Sequence, residues 1–169
     1  MAPVTRFAPS PTGYLHLGHA RSALEVARAA RALGAAMLLR IEDIDHTRCR
    51  PEYDAALIED VAWLGLTYDG EVRRQSAHRT DYEQALAALR ARGLIYPDAR
   101  ARSGAALEGP PAWRLNLAAA RTVLGSGWTK LGYHDMDRGW RSVDPGPHGE
   151  VILARRDIGL SYHLCVVWD

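Results

Sequence analysis

The sequence predicts an α/β fold, a parallel sheet flanked by helices with a β-rich insertion. Three observations lead there. Strand, helix and strand signals follow one another between Val4 and Asp43, the order of a βαβ unit. Two further amphipathic helices, each closed by a glycine, come next. Residues 97–150 then change to short β-like pieces rich in glycine and proline.

The elements can be justified in order. "VTRFAP" reads as a short buried strand stopped by Pro9 and Pro11. From Leu17 to Leu33 the residues Leu17, Ala20, Leu24, Ala27 and Leu33 recur at roughly helical spacing and predict the buried face, with Gly34 as C-cap. "AAMLLRIED" is a continuous apolar run ending in carboxylates, as expected of a parallel strand covered on both faces. Pro51 suits a first helical position, and Tyr53, Leu57, Val61 and Leu64 mark one face up to Gly65. Ser76 is expected to cap the next helix, with Tyr82, Leu86 and Leu89 inward and Gly93 ending it. "LIYP" reads as a strand. In the insertion, "AWRLNL", "GWRSV" and "EVILARRD" read as strands, and Trp113, Trp128 and Trp140 require something to pack against. "GSGWTK" at 125–130 superficially resembles a phosphate loop and reads as a hairpin turn. The tail "GLSYHLCVVWD" returns to an apolar helix or strand. The expected division is therefore 1–96, 97–150 and 151–169, the last ending in mid-domain.

Composition narrows the function classes. At 169 residues, 47% hydrophobic and 24% charged, the chain has the balance of a globular domain with a real core. No apolar run approaches the roughly 20 residues that span a bilayer, so no membrane partner is expected. "MAPVTRFAPS" lacks a signal peptide's basic start and apolar stretch, and the expected location is the cytoplasm. Cys49 and Cys165 lie far apart with no CxxC pair, which predicts neither a disulfide framework nor a zinc site. Of 21 basic residues only Lys130 is a lysine, so any mechanism needing a catalytic lysine has one candidate. With a net charge of +1, nucleic-acid binding must use a local patch.

In a βαβ unit ligands collect beyond the carboxyl ends of the strands. Two segments end there, "RFAPSPTG" and "RIEDID", and neither is a common phosphate loop. His16 and His19, in "HLGH", stand three apart on a first helical turn and face the same way. Gly18 between them lets backbone approach a ligand. Free N–H groups at a helix start favour an anion such as phosphate. Imidazoles there can donate to phosphoryl oxygens as charge builds in phosphoryl or nucleotidyl transfer. Arg6, on an apolar strand, is expected to be buried and is hard to explain structurally. Asp43 and Asp45 are open between a site role and capping the next turn.

"PSPTGYLHLGHAR" after one strand and "LRIEDID" at the end of the next resemble the glutamyl class of class I aminoacyl-tRNA synthetases, with HLGH standing as their HIGH signature. The resemblance continues through "WLGLTYDGEVRRQS", "YEQALAALRARGLIYP", "PAWRL" and "ARRDIGLSYHLCVVWD", and is weakest at 97–112 and 117–148. "RIEDID" and the "LARRD…SYHLCVVWD" stretch bring it closer to the family's short branch, which esterifies the queuosine base of tRNA(Asp).

The resemblance implies a Rossmann-like catalytic core, incomplete here, that activates L-glutamate with ATP and Mg²⁺ and transfers it to queuosine-bearing tRNA(Asp). A monomer is expected. His16 and His19 would be catalytic. Arg6, Ala8, Ser10, Glu42 and Tyr162 would bind glutamate, with Glu42 taking its ammonium group. Pro9, Thr12, Gly13, His16, Gly18 and His19 would bind ATP. Two departures stand out. Asp98 and Arg100 occupy the places of a CxC pair that often opens a zinc site, so no zinc is expected. The lysine-bearing KMSKS-type loop, which lies further along such enzymes, is not in this sequence. Two alternatives therefore accompany the main expectation: the front of a glutamyl-tRNA synthetase charging tRNA(Glu), or a catalytically silent glutamate- or nucleotide-binding module.

Overall fold

The computed structural model describes residues 2–100 and 108–169, which form two compact units divided between Arg79 and Thr80. In the first, β1 (Val4–Phe7), α1 (Leu17–Leu33), β2 (Ala36–Ile41), α2 (Pro51–Trp63) and β3 (Arg73–Arg74) succeed one another, closed by a 3-10 turn at Gln75–His78. The strands lie in the order β1-β2-β3, all parallel. Val4 pairs with Ala36 and Phe7 with Leu39, and Arg40 pairs with Arg73. The βαβ expectation is met. β3 was not foreseen, since two arginines carry no strand pattern and only the neighbouring strand makes them one.

Helix α1 starts and stops where its sequence says. Gly34 takes the left-handed conformation (φ 57°), and its N–H reaches Ala30 O and Arg31 O. Its buried face differs from the expected one. Ala23, Ala27 and Ala30 face the core, whereas Leu17 is 89% exposed and Leu24 and Leu33 are about half exposed. Small side chains let the helix pack closely on the sheet. The core behind them is Phe7, Met37, Leu39 and Ile41 from the strands and Leu57 and Val61 from α2. Ser76 does not cap the following helix. Its N–H and hydroxyl donate to the Asp43 carboxylate at 2.7 and 2.6 Å, fastening the 3-10 turn to the loop beyond β2.

The second unit contains α3 (Arg79–Ala91, its first residue just before the division), β4 (Ile95–Asp98), β5 (Ala112–Leu115), α4 (Leu117–Leu124), β6 (Gly132–Asp135), β7 (Gly139–Ser142), β8 (Ile152–Ala154) and α5 (Tyr162–Trp168). One antiparallel sheet runs β4-β5-β8, and β6 and β7 form a hairpin. On α3, Tyr82 and Ala85 are buried while Leu86 and Leu89 are only partly covered. Helix α4 was not foreseen. Asn116 caps it by accepting from Ala119 N at 2.9 Å.

"GSGWTK" is neither a phosphate loop nor a hairpin turn but a 3-10 helix. The hairpin turns later, where the Asp135 carboxylate accepts Asp137 N and Arg138 N, both at 2.9 Å. Trp113 and Trp128 are partly covered, each with an arginine (Arg90, Arg121) over its ring. Trp140 remains 60% exposed, lying along β6 where a Cβ on Gly132 would come within 2.5 Å of its ring.

Candidate functional site

The loops leaving β1 and β2 are stitched together by main-chain bonds, Glu42 N to Pro9 O at 3.0 Å and Arg50 N to Pro11 O at 3.2 Å. They end at the carboxyl edge of the parallel pair, beside the start of α1. A cleft of about 580 Å³ opens there. It brings together Arg6, Ala8, Pro9, Ser10, Thr12, Gly13, His16 and His19 among the residues expected from sequence, and adds Phe7, Tyr14 and Ser22. Ser22, three residues beyond His19 on α1, was legible as the next position on the same helical face.

His16 is the N-cap of α1 rather than part of its first turn. Its Nδ1 accepts the Gly18 N–H at 3.1 Å, and His19 Nδ1 accepts the His16 N–H at 3.2 Å. This reciprocal box satisfies helix-terminal donors with two imidazoles in place of the usual hydroxyl and carboxylate. The ring centroids are 4.0 Å apart. With Nδ1 of each ring accepting, the hydrogen-bond pattern assigns the proton of each neutral imidazole to Nε2. Partial burial, and then the neighbouring His16, hold the His19 pKa below its ordinary value, which favours that neutral form. Gly18 has a different use from the expected one. It does not line the cleft, and a Cβ there would stand 2.9 Å from His16 Cε1. Glycine makes room for the capping ring.

Arg6 lines the cleft but is exposed, not buried as expected: along β1 it alternates with Phe7, and it is Phe7 that turns into the core. Glu42 is 8% exposed and does not itself line the cleft. Its Oε2 accepts from Ser10 Oγ at 3.5 Å, and its Oε1 accepts from Arg40 Nη2 at 2.6 Å. Arg40, 1% exposed, is a partner of Glu42 that the sequence motifs did not single out. Strand alternation points to it, since Arg40 and Glu42 are two apart and share a face. Asp43 and Asp45 both cap local structure. Asp43 holds Ser76, and Asp45 accepts from Thr47 N, Thr47 Oγ1 and Arg48 Nε at 3.2, 2.6 and 2.8 Å. Tyr162 belongs to the second unit, as the first residue of α5, and is 53% exposed.

In that unit Asp98 is 7% exposed. It accepts from Arg100 N and Nε at 3.1 and 3.0 Å and from Arg114 Nε at 2.7 Å. The hydrogen bonds from Arg100, then that from Arg114, bring its carboxyl down to about 2. Among the described residues no three His, Cys, Asp or Glu side chains stand together as a metal cluster, and no helix is long and apolar enough to cross a membrane.

Residues 3–103 match the catalytic domain of the tRNA synthetases of class I (E and Q). The chain belongs to this family. Family members are ligases that use ATP. The glutamyl-Q tRNA(Asp) synthetase of Rhodobacter capsulatus is 40% identical over 199 aligned positions, which cover 98% of this chain and 72% of that protein. Glutamate–tRNA ligase 2 of a Methylobacterium species is 54% identical over 97 residues, covering 57% of this chain and 22% of its own length. Among solved structures, the glutamate tRNA ligase of Elizabethkingia meningosepticum, crystallised with its amino acid, superposes with a TM-score of 0.72 at 23% identity. It is covered over 41% of its length, by all of this synthetase-family chain. That likeness shows the fold: the parallel three-stranded sheet is part of a Rossmann-like core.

Proposed function

We propose that this chain carries the amino-acid-activating part of a cytoplasmic, monomeric ligase. It would join L-glutamate to ATP as glutamyl-adenylate and transfer the glutamyl group to the queuosine base of tRNA(Asp). The observation that carries this reading is the pair of imidazoles held by Nδ1 at the start of α1, on the cleft that also contains Arg6 and Ser10. The similarity to the Rhodobacter glutamyl-Q tRNA(Asp) synthetase over 98% of the chain supports the acceptor.

In this mechanism a glutamate α-carboxylate oxygen attacks the ATP α-phosphorus, and the bond to the bridging oxygen of the leaving pyrophosphate breaks. Negative charge grows on the phosphoryl oxygens. The Nε2–H groups of His16 and His19 meet it with donors already oriented, so little reorganisation is needed at the moment of reaction. The α1 N-terminus adds its partial positive charge. Pro9, Thr12 and Gly13 shape the wall against which ATP lies, and Gly18 keeps His16 in place. Mg²⁺, arriving on the ATP phosphates, would neutralise part of their charge.

The remaining residues hold the amino acid. Arg6 offers its fork to a glutamate carboxylate. Ala8 leaves room for the substrate, since a larger side chain at the strand exit would fill the pocket. Ser10 gives its proton to Glu42, so its oxygen lone pairs are left for the substrate ammonium, with the Glu42 charge behind them. Zinc has no part in this reading, since Asp98 engages both carboxylate oxygens with arginines.

A second reading has its own support: the 54% identity to a glutamate–tRNA ligase over 57% of the chain favours the front of an enzyme charging tRNA(Glu). Transfer of labelled glutamate separates the two. Labelling of tRNA(Asp) that carries queuosine, and not of the same tRNA without it, is the expected result. Labelling of tRNA(Glu) instead would establish the second reading. Absence of both transfer and pyrophosphate exchange would leave a binding module.

A further inference from the structure

The most deeply buried charge of the first unit has no role in the reaction just described. Arg40 is 1% exposed and lies near the end of β2, the middle strand of the sheet, where it pairs with Arg73 of β3. A buried guanidinium is costly unless it is paired, and its Nη2 donates to Glu42 Oε1 at 2.6 Å, a short, charge-assisted bond. Strand geometry makes the pair rigid. The two residues are two apart on one face, Arg40 is still within the ladder, and Glu42 is the first residue beyond it, its N–H tied to Pro9 O. With Oε1 held from behind, Oε2 is the oxygen left toward Ser10, which lines the cleft.

We propose that Arg40 is a positioning residue for the amino-acid site, fixing the Glu42 carboxylate so that one oxygen is held inside the fold and the other, with Ser10, forms the subsite for the substrate's α-ammonium group. This rests on the reading of the cleft as a glutamate site. Arg40 does not touch substrate. It acts through Glu42, so its effect should appear only for ligands that carry an ammonium group and only while Glu42 is present.

The test compares calorimetric binding of L-glutamate and of glutarate, which keeps both carboxylates and lacks the amine, to the whole chain. The wild-type chain should prefer glutamate, and Arg40→Met should weaken glutamate by about tenfold or more while leaving glutarate and ATP unchanged. Arg40→Lys, which restores a cation, should recover part of the loss. In a Glu42→Gln background, Arg40→Met should weaken glutamate no further, and this neutral pair also serves if the single variant does not fold. Equal losses for glutamate, glutarate and ATP, or additive losses in the double variant, would overturn the assignment in favour of a purely structural pair. Failure of the wild-type chain to prefer glutamate to glutarate would overturn the amino-acid site itself.

Discussion

Gly18→Ala should leave the fold intact and disable the site. An alanine Cβ would lie 2.9 Å from His16 Cε1 and 3.1 Å from His16 Nδ1, closer than the ring can tolerate. The obstacle is an exposed side chain and not backbone, so the imidazole swings away and the bond from Gly18 N to His16 Nδ1 is lost. Losing an N-cap costs about 1 kcal/mol. Replacing glycine by alanine inside a helix returns about 1 kcal/mol. The two nearly cancel, and the urea midpoint should move little. Catalysis has no such compensation. A donor aimed at developing phosphoryl charge is displaced, and losing one such donor costs on the order of a hundredfold in rate. Glutamate-dependent pyrophosphate exchange should therefore fall by about that factor, with stability unchanged. His16→Ala is the control: it loses the cap without the helical gain, and should lose both the rate and about 1 kcal/mol. Exchange at the wild-type rate in Gly18→Ala would refute the link between the cap and the chemistry. A loss of several kcal/mol would refute the claim that only the ring must move.

Three further outcomes follow from the geometry. Arg6→Ala should raise the Michaelis constant for glutamate on the order of tenfold, with that for ATP little changed, because Arg6 is an exposed fork on the cleft and its bond to a carboxylate is partly screened; the reverse pattern would assign it to the nucleotide. Asp98, held at about 2 against an ordinary 3.8, contributes stability that is full above about pH 4 and is lost as pH falls through 2. Acid unfolding should show this loss in the wild-type chain and not in Asp98→Asn, and identical curves would dismiss the Arg100–Asp98–Arg114 cluster as a stabilising element. Ala23→Leu should destabilise the first unit by about 1–3 kcal/mol by overpacking the helix–sheet contact, read from the urea midpoint; an unchanged midpoint would mean that α1 does not sit as close to the sheet as its alanines imply.

Much of the site was legible because it is made of local chemistry. The loop after β1 announces itself through Pro9, Pro11 and Gly13, and the βαβ order already puts that loop and "RIED" at one sheet edge. Eight of the expected residues do line one cleft. The roles within it were less legible. Gly18 looked like an approach point for a ligand, and only the His16 ring next to it reveals that it makes room for a cap. Arg6 looked buried because its neighbours are apolar, but strand alternation turns Phe7 into the core and Arg6 away from it.

What the sequence determined by itself is the set of features that depend on a few adjacent residues. Helix α1 begins at Leu17 and ends at Gly34 because a capping side chain and a left-handed glycine act within one turn. Pro51 opens α2 for a similarly short-range reason. Tertiary structure alone decided which face of α1 is buried, because hydrophobicity favours its leucines whereas close contact with a sheet favours Ala23, Ala27 and Ala30. It also made a strand of Arg73–Arg74, took Ser76 from its expected cap to bind Asp43, and paired Arg40 with Glu42 behind the cleft. Each of these depends on how distant segments meet in space, or on what a neighbouring strand leaves unsatisfied, and no local pattern encodes either.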